Sequence, residues 1–167
     1  MNQGAQFLFI AILGWLSFTA FFVIIETLFP NVVRKGKEIA EDSPGRSFWL
    51  GLINGIFLIA LVTLFMFLSE NFGTPLVAFP GLLFAGIFII GGIVGLTSMF
   101  QLIGERLFPD QSTFRRSGYA AGITILACLT PYIGWVGLFP YLLLVGFGAY
   151  VISAYNQYRA SREKAEK

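Results

Sequence analysis

SGYAAGITILACLTPYIGWVGLFPYLLLVGFGAYVISAY (residues 117–155) decides how this chain is organised. As one continuous helix the stretch would reach about 58 Å, well beyond the ~30 Å apolar core of a bilayer. Its middle holds Pro131, Gly134, Gly137 and Pro140 among Tyr132 and Trp135. Prolines and glycines break helices, and Tyr and Trp suit a membrane–water interface. The stretch therefore reads as a tight hairpin of two segments, 117–133 and 136–155. The first is short, so it either borrows 131–135 to reach the far side or re-enters without crossing.

Working outward, three more apolar runs fit one span each: 7–29, 48–69 and 76–104. The Glu70-Asn71-Phe72-Gly73-Thr74-Pro75 sequence between the second and third is a turn signature, with Thr74 as N-cap and Pro75 as first helical residue. The N-terminal run lacks the positive flank of a signal peptide and is expected to remain as a span. The expected fold is all-α, a single polytopic transmembrane domain over residues 1–167 with five spans; four is the alternative.

Charge selects five. All 11 Lys and Arg residues fall in 34–46, 106–116 and 159–167, and basic flanks favour the cytoplasmic side. Two basic clusters on one side are separated by an even number of spans. Five spans keep loops 30–46 and 105–116 and the tail 156–167 in the cytoplasm, with the N-terminus outside and Glu70 the one charged side chain there. A bacterial cytoplasmic membrane is the expected location; a thylakoid or other organelle membrane is left open.

Composition agrees. The chain is 56% hydrophobic and 12% charged, with mean hydropathy +0.77, against about 25% charged residues in soluble domains. A net charge of +2, with acidic neighbours in each basic cluster, argues against nucleic acid as a partner. No His and a single Cys, Cys128, leave no material for an intramolecular disulfide, a Ser–His hydrolase or a zinc site. No phosphate-loop or dinucleotide fingerprint occurs. The expectation is a non-enzymatic protein without a cofactor, bound lipid aside.

One phrase occurs twice. Glu26-Thr27-Leu28-Phe29-Pro30-Asn31 ends the first span and Glu105-Arg106-Leu107-Phe108-Pro109-Asp110 ends the third. Each precedes a polar loop, an Arg-Ser pair (Arg46-Ser47, Arg116-Ser117) and a GxxxG start (Gly51/Gly55, Gly118/Gly122). The pattern predicts two parallel span–loop–span repeats followed by one added span. Glu26–Arg46 and Glu105–Arg116 are the expected ion pairs across the two hairpins, and an ion-handling role for these four residues is the alternative, since intramembrane carboxylates are functional candidates. Small-residue surfaces at Gly51/Gly55, Gly91/Gly95 and Gly118/Gly122 are expected to pack helices, within the chain or between protomers. Asn54 and Gln101 are the costly polar residues inside spans, expected to bond between helices.

Pro131-Tyr132-Ile133-Gly134-Trp135 followed by Gly146-Phe147-Gly148-Ala149 resembles the terminal hairpin of uncharacterised bacterial multi-pass membrane proteins, some of them associated with bactofilin-type cytoskeletal polymers. The resemblance covers the last third of the chain and implies anchoring or scaffolding; it supplies no catalytic residues. The functional expectation is an integral subunit or scaffold. It would join copies of itself or other membrane proteins, contact lipid, and present basic loops to a cytoplasmic protein. The alternative is a small oligomeric channel or transporter using Glu26 and Glu105.

Overall fold

A computed structural model describes residues 3–165, with side chains through 162. It is all-helical: α1 (Gln3–Leu28), α2 (Pro30–Asp42), α3 (Pro44–Phe72), a 3₁₀ turn (Pro75–Val77), α4 (Ala78–Leu107), α5 (Thr113–Cys128), a π turn (Ile133–Leu138) and α6 (Phe139–Ala165). Four segments are long and apolar enough to cross a membrane: α1, α3, α4 with its 3₁₀ turn, and Ile133–Arg162.

Proline and glycine set the element ends. Phe29, before Pro30, leaves the helical region at φ −124°, ψ 50°, and Phe108, before Pro109, does the same at φ −134°, ψ 60°. A residue preceding proline is pushed out of the α region by the ring. Both Phe N–H groups still donate to the fourth carbonyl back, Ile25 and Gly104, at 2.9 Å. The two copies of the repeated phrase thus end their helices alike. Beyond the prolines they diverge. Pro30 is the first residue of a new helix, whereas Pro109 lies in a short turn before α5. Gly73, at φ 62°, closes α3 in the left-handed conformation that favours glycine.

The loop expected at 30–46 is largely the amphipathic helix α2. Val33, Gly36 and Ala40 recur at helical spacing and are buried, while Arg34, Lys35, Glu38 and Glu41 face outward. This face packs on α4 and α6. A small residue suits that position: a Cβ on Gly36 would meet Ser98 Oγ at 2.6 Å and the serine would have to shift. The helix also carries the chain about 20 Å along its length, so α3 does not return beside α1. Instead α1 packs on α5 and α4, and α3 on α6 and α4. The first unit of the expected repeat is therefore not a packed hairpin, whereas α4 and α5 are neighbours.

The core is built by α6 lying between α3 and α4. A Cβ on Gly148 would collide with the Ser47 carbonyl, and one on Gly51 with the Leu144 carbonyl. Gly95 and Gly146 meet backbone to backbone. Such contact between bare backbones is the strongest form of small-residue packing. Val145, Phe147 and Ala149 are fully buried beside these crossings.

The last hairpin pairs a short helix with a long one. α5 has 16 residues, or about 24 Å, short of the ~30 Å apolar thickness. Gly134 abuts the carbonyls of Ala127 and Cys128, so the chain reverses there. Cys128, Leu129, Trp135 and Phe139 share a cleft with Ser17 of α1 and Ile93 of α4. From those two positions α1 and α4 each continue about 20 Å farther, to Gln3 and Ala78. The hairpin tip does not follow them. Tyr132 sits at φ 65°, ψ −66°, with Ile133 N–H donating to Pro131 C=O at 2.9 Å. This is the rare positive-φ γ-turn, a strained conformation for a non-glycine residue.

Candidate functional site

The described residues of the three basic clusters lie at one end of the bundle, where the ion pairs among the described residues form. Glu105 lies on the last turn of α4 and is half-buried. Lys37, projecting from the inner part of α2, donates to Glu105 Oε2 at 2.7 Å, and Arg116 of α5 approaches Oε1 at 3.5 Å. Lys37 and Arg116 are only 13% and 19% exposed. A carboxylate held by two partly buried cations ties three helices together, more strongly than an exposed pair would. Arg106–Glu41 at 3.5 Å and Arg34–Glu38 at 3.8 Å are exposed and add little.

Glu26, one turn before the end of α1, is buried at 9% exposure. Its charged neighbours are Arg116 and Glu105, and Ser117 and Gln101 lie close to its carboxyl group. Even so, Glu26 Oε1 and Gln101 Oε1 have no hydrogen-bond partner. The Ser117 hydroxyl lies between Thr113 C=O, at 2.9 Å, and the Glu26 carboxyl group. The two unsatisfied oxygens are both acceptors, and a buried acceptor without a donor costs about 1–3 kcal/mol.

The expected pairs resolve differently. Glu105 does meet Arg116. Arg46 is exposed and makes no ion pair among the described residues, so Glu26 faces Arg116 instead. The physical reason is α2, which separates the start of α3 from the end of α1. The repeated carboxylates therefore both lie near Arg116, and Glu105 has Lys37 besides. Lys37 was missed because its neighbours make the segment look uniformly solvated. The signal was its place on the same helical stripe as Val33, Gly36 and Ala40.

The glycine surfaces are used mostly inside the chain. Gly51 and Gly95 contact α6 backbone, Gly91 contacts Phe147 and Tyr150, and Gly122 packs on Trp15. Gly55 has only an ordinary contact with Phe88, and Gly118 has no neighbouring group within 4 Å. Gly146 and Gly148, the residues that let α6 into the core, did not stand out as packing residues. Asn54 does not bond between helices; its side-chain amide donates to Leu50 C=O one turn back, at 2.8 Å. Thr19, Thr97 and Ser98 likewise bond their own helices. Among the described residues no group of three or more His, Cys, Asp or Glu is placed to hold a metal ion.

At the same end, α2 and α6 flank a polar groove of about 520 Å³ lined by Lys35, Glu38, Ser153, Asn156, Gln157 and Ser161. The arrangement defines an all-helical protein with membrane-spanning segments and a braced, charged end. Comparison with protein-family models, curated proteins and solved structures returned no match.

Proposed function

We propose that this chain is a non-enzymatic integral membrane subunit that holds a rigid charged platform for a cytoplasmic protein. The observation that carries the reading is the α2 brace. A short amphipathic helix is locked to α4 by Lys37–Glu105 and borders α6 across a polar groove. Span residues Asn54, Thr19, Thr97 and Ser98 turn their polar atoms to their own backbone, which favours a packing role over a polar conduit. Five helical segments enter the bilayer, α5 and α6 as a hairpin that returns to the face it came from. The N-terminus lies outside and the basic clusters in the cytoplasm of a bacterial-type cell. With Gly51, Gly91 and Gly95 covered, contacts with other subunits fall to the N-terminal half of α1, where Phe7, Phe9 and Leu13 are exposed, and to Gly118.

Purification in a mild detergent, with and without a Lys35→Glu, Glu38→Lys exchange in the groove, tests the reading. A co-purifying protein lost in the exchanged variant supports it; a lone chain in both preparations sinks it. Topology is tested separately with membrane-impermeant thiol reagents in a Cys128→Ser background. Glu70→Cys labels from outside, whereas Tyr132→Cys labels from neither side. Labelling of both from outside would mean that the hairpin crosses fully.

A second reading rests on the two unsatisfied acceptors. Glu26 Oε1 and Gln101 Oε1 would accept from a proton carrier or coordinate a cation, making the cluster a relay in a channel or transporter. Proteoliposome flux that falls in Glu26→Gln and Glu105→Gln would establish this reading, and flux indifferent to both carboxylates would remove it.

A further inference from the structure

We propose that the cleft between α1, α4 and the α5–α6 hairpin is a resident-lipid site, occupied by an acyl chain of a phospholipid from the leaflet remote from the basic clusters. The cleft measures about 810 Å³ and is bounded by Phe18, Phe22, Leu96, Ile125, Cys128 and Trp135, among others. That size lies within the ~300–1,000 Å³ range of sites that enclose small organic ligands. Its walls are almost wholly apolar side chains, and a cavity of that kind does not hold water stably.

Two further features select the occupant. First, beyond the residues that line the cleft, α1 continues about 20 Å toward Gln3 with Phe7, Phe9 and Ile10 exposed, while α4 continues toward Ala78 with α3 packed on its other side. The space between α1 and α4 on that side lies open to lipid of the leaflet remote from the basic clusters. Second, the tip turns its side chains outward while part of its polar backbone is bonded within the turn. Thr130 Oγ1 donates to Ala127 C=O at 2.6 Å and Gly134 N–H to Thr130 C=O at 3.0 Å. Tyr132, Ile133, Trp135 and Val136 are 68–84% exposed. Irregular backbone at membrane depth is tolerated when its polar groups are provided for; here the turn bonds several of them itself and leaves the Tyr132 hydroxyl and the Trp135 indole N–H facing outward, as suits a lipid interface. The closed end of the cleft is set by Phe22 and Phe100, in edge-to-face contact at 4.8 Å. This pair keeps the acyl chain away from Glu26 and Gln101, so recognition is of the chain and not of a headgroup at the charged cluster.

The experiment uses the full chain in dodecylmaltoside micelles. Native mass spectrometry is expected to find one phospholipid retained on the wild type and on the control Ile123→Trp, whose site is exposed and outside the cleft. Leu96→Phe and Cys128→Phe, which fill the cleft, lose it. Equal lipid in all four proteins, or a retained mass matching a second chain or a peptide, overturns the proposal. A second measurement needs no core variant. Alkylation of Cys128 in delipidated wild type is expected to slow about tenfold when phosphatidylglycerol is added at about ten times its dissociation constant. A rate unchanged by saturating lipid overturns the proposal equally.

Discussion

Replacing Gly51 by Ala should be far more damaging than the same change at Gly118, although both open a GxxxG pair in the sequence. At Gly51 the added methyl runs into the Leu144 carbonyl, with its carbon at 2.8 Å and Gly148 N at 3.0 Å. Ordinary carbon contacts lie at about 3.5–4.0 Å, so α3 and α6 must part by about 1 Å, enough to forfeit a quarter to a half of the dispersion energy there. The obstacle is backbone on both helices, so no side chain can rotate away. Overpacking of this kind costs about 1–3 kcal/mol, and the rigidity of the crossing places Gly51→Ala at about 3. Better helix propensity returns up to about 1 kcal/mol. At Gly118 nothing lies within 4 Å, so only the propensity gain remains, about 0.5–1 kcal/mol of stabilisation. Net effects of about −2 and +1 kcal/mol correspond to a separation in melting temperature of about 6–12 °C for a chain of this size. Thermal unfolding in detergent micelles, followed by a thiol-reactive dye at Cys128, measures it. If Gly51→Ala melts with the wild type, or Gly118→Ala falls as far, the backbone-to-backbone packing of α3 and α6 is wrong.

Lys37→Met removes one of two cations from Glu105 and should destabilise by about 1.5–3 kcal/mol, the range for a hydrogen bond to a charged group. The paired exchange Lys37→Glu, Glu105→Lys should recover less than a simple swap would, because Arg116 then faces the new lysine; denaturant titration of the three proteins distinguishes these outcomes. Phe22→Ala empties the contact with Phe100 and should cost about 3–5 kcal/mol by the same titration. Trp15→Phe deletes the 3.0 Å bond from Nε1 to Gly122 C=O and should cost about 1 kcal/mol, with faster proteolysis of α1 as the local readout.

Local signals carried much of the architecture. The two Phe-Pro steps end their helices with nearly the same dihedrals, and the Gly73-Thr74-Pro75 turn sits where those residues require it. The meeting of the basic clusters at one end follows from parity, because a hairpin that re-enters and one that crosses both return the chain to the side it left. What stayed hidden depends on tertiary crossing. α2 hides because its buried stripe is Val33, Gly36 and Ala40, and a glycine counts as apolar only once Ser98 is known to lie over it. The depth of the last hairpin depends on how α6 crosses α4 at Gly95 and Gly146, which the length of an apolar run does not encode. At the candidate site, the repeated phrase pointed to both carboxylates but not to their sharing of Arg116.

The place of α6 between α3 and α4 also has a consequence for biogenesis. Chains emerge from the ribosome N-terminus first, so α3 and α4 are made before α6, the helix that packs on both, exists. Until then Gly51, Gly91 and Gly95 present open grooves to the lipid, sized for another helix with small residues. Newly made copies that meet at that stage would exchange α6 or pair in its absence. Slow synthesis past residue 130, or crowding of nascent chains, is therefore where misassembly of this protein should begin.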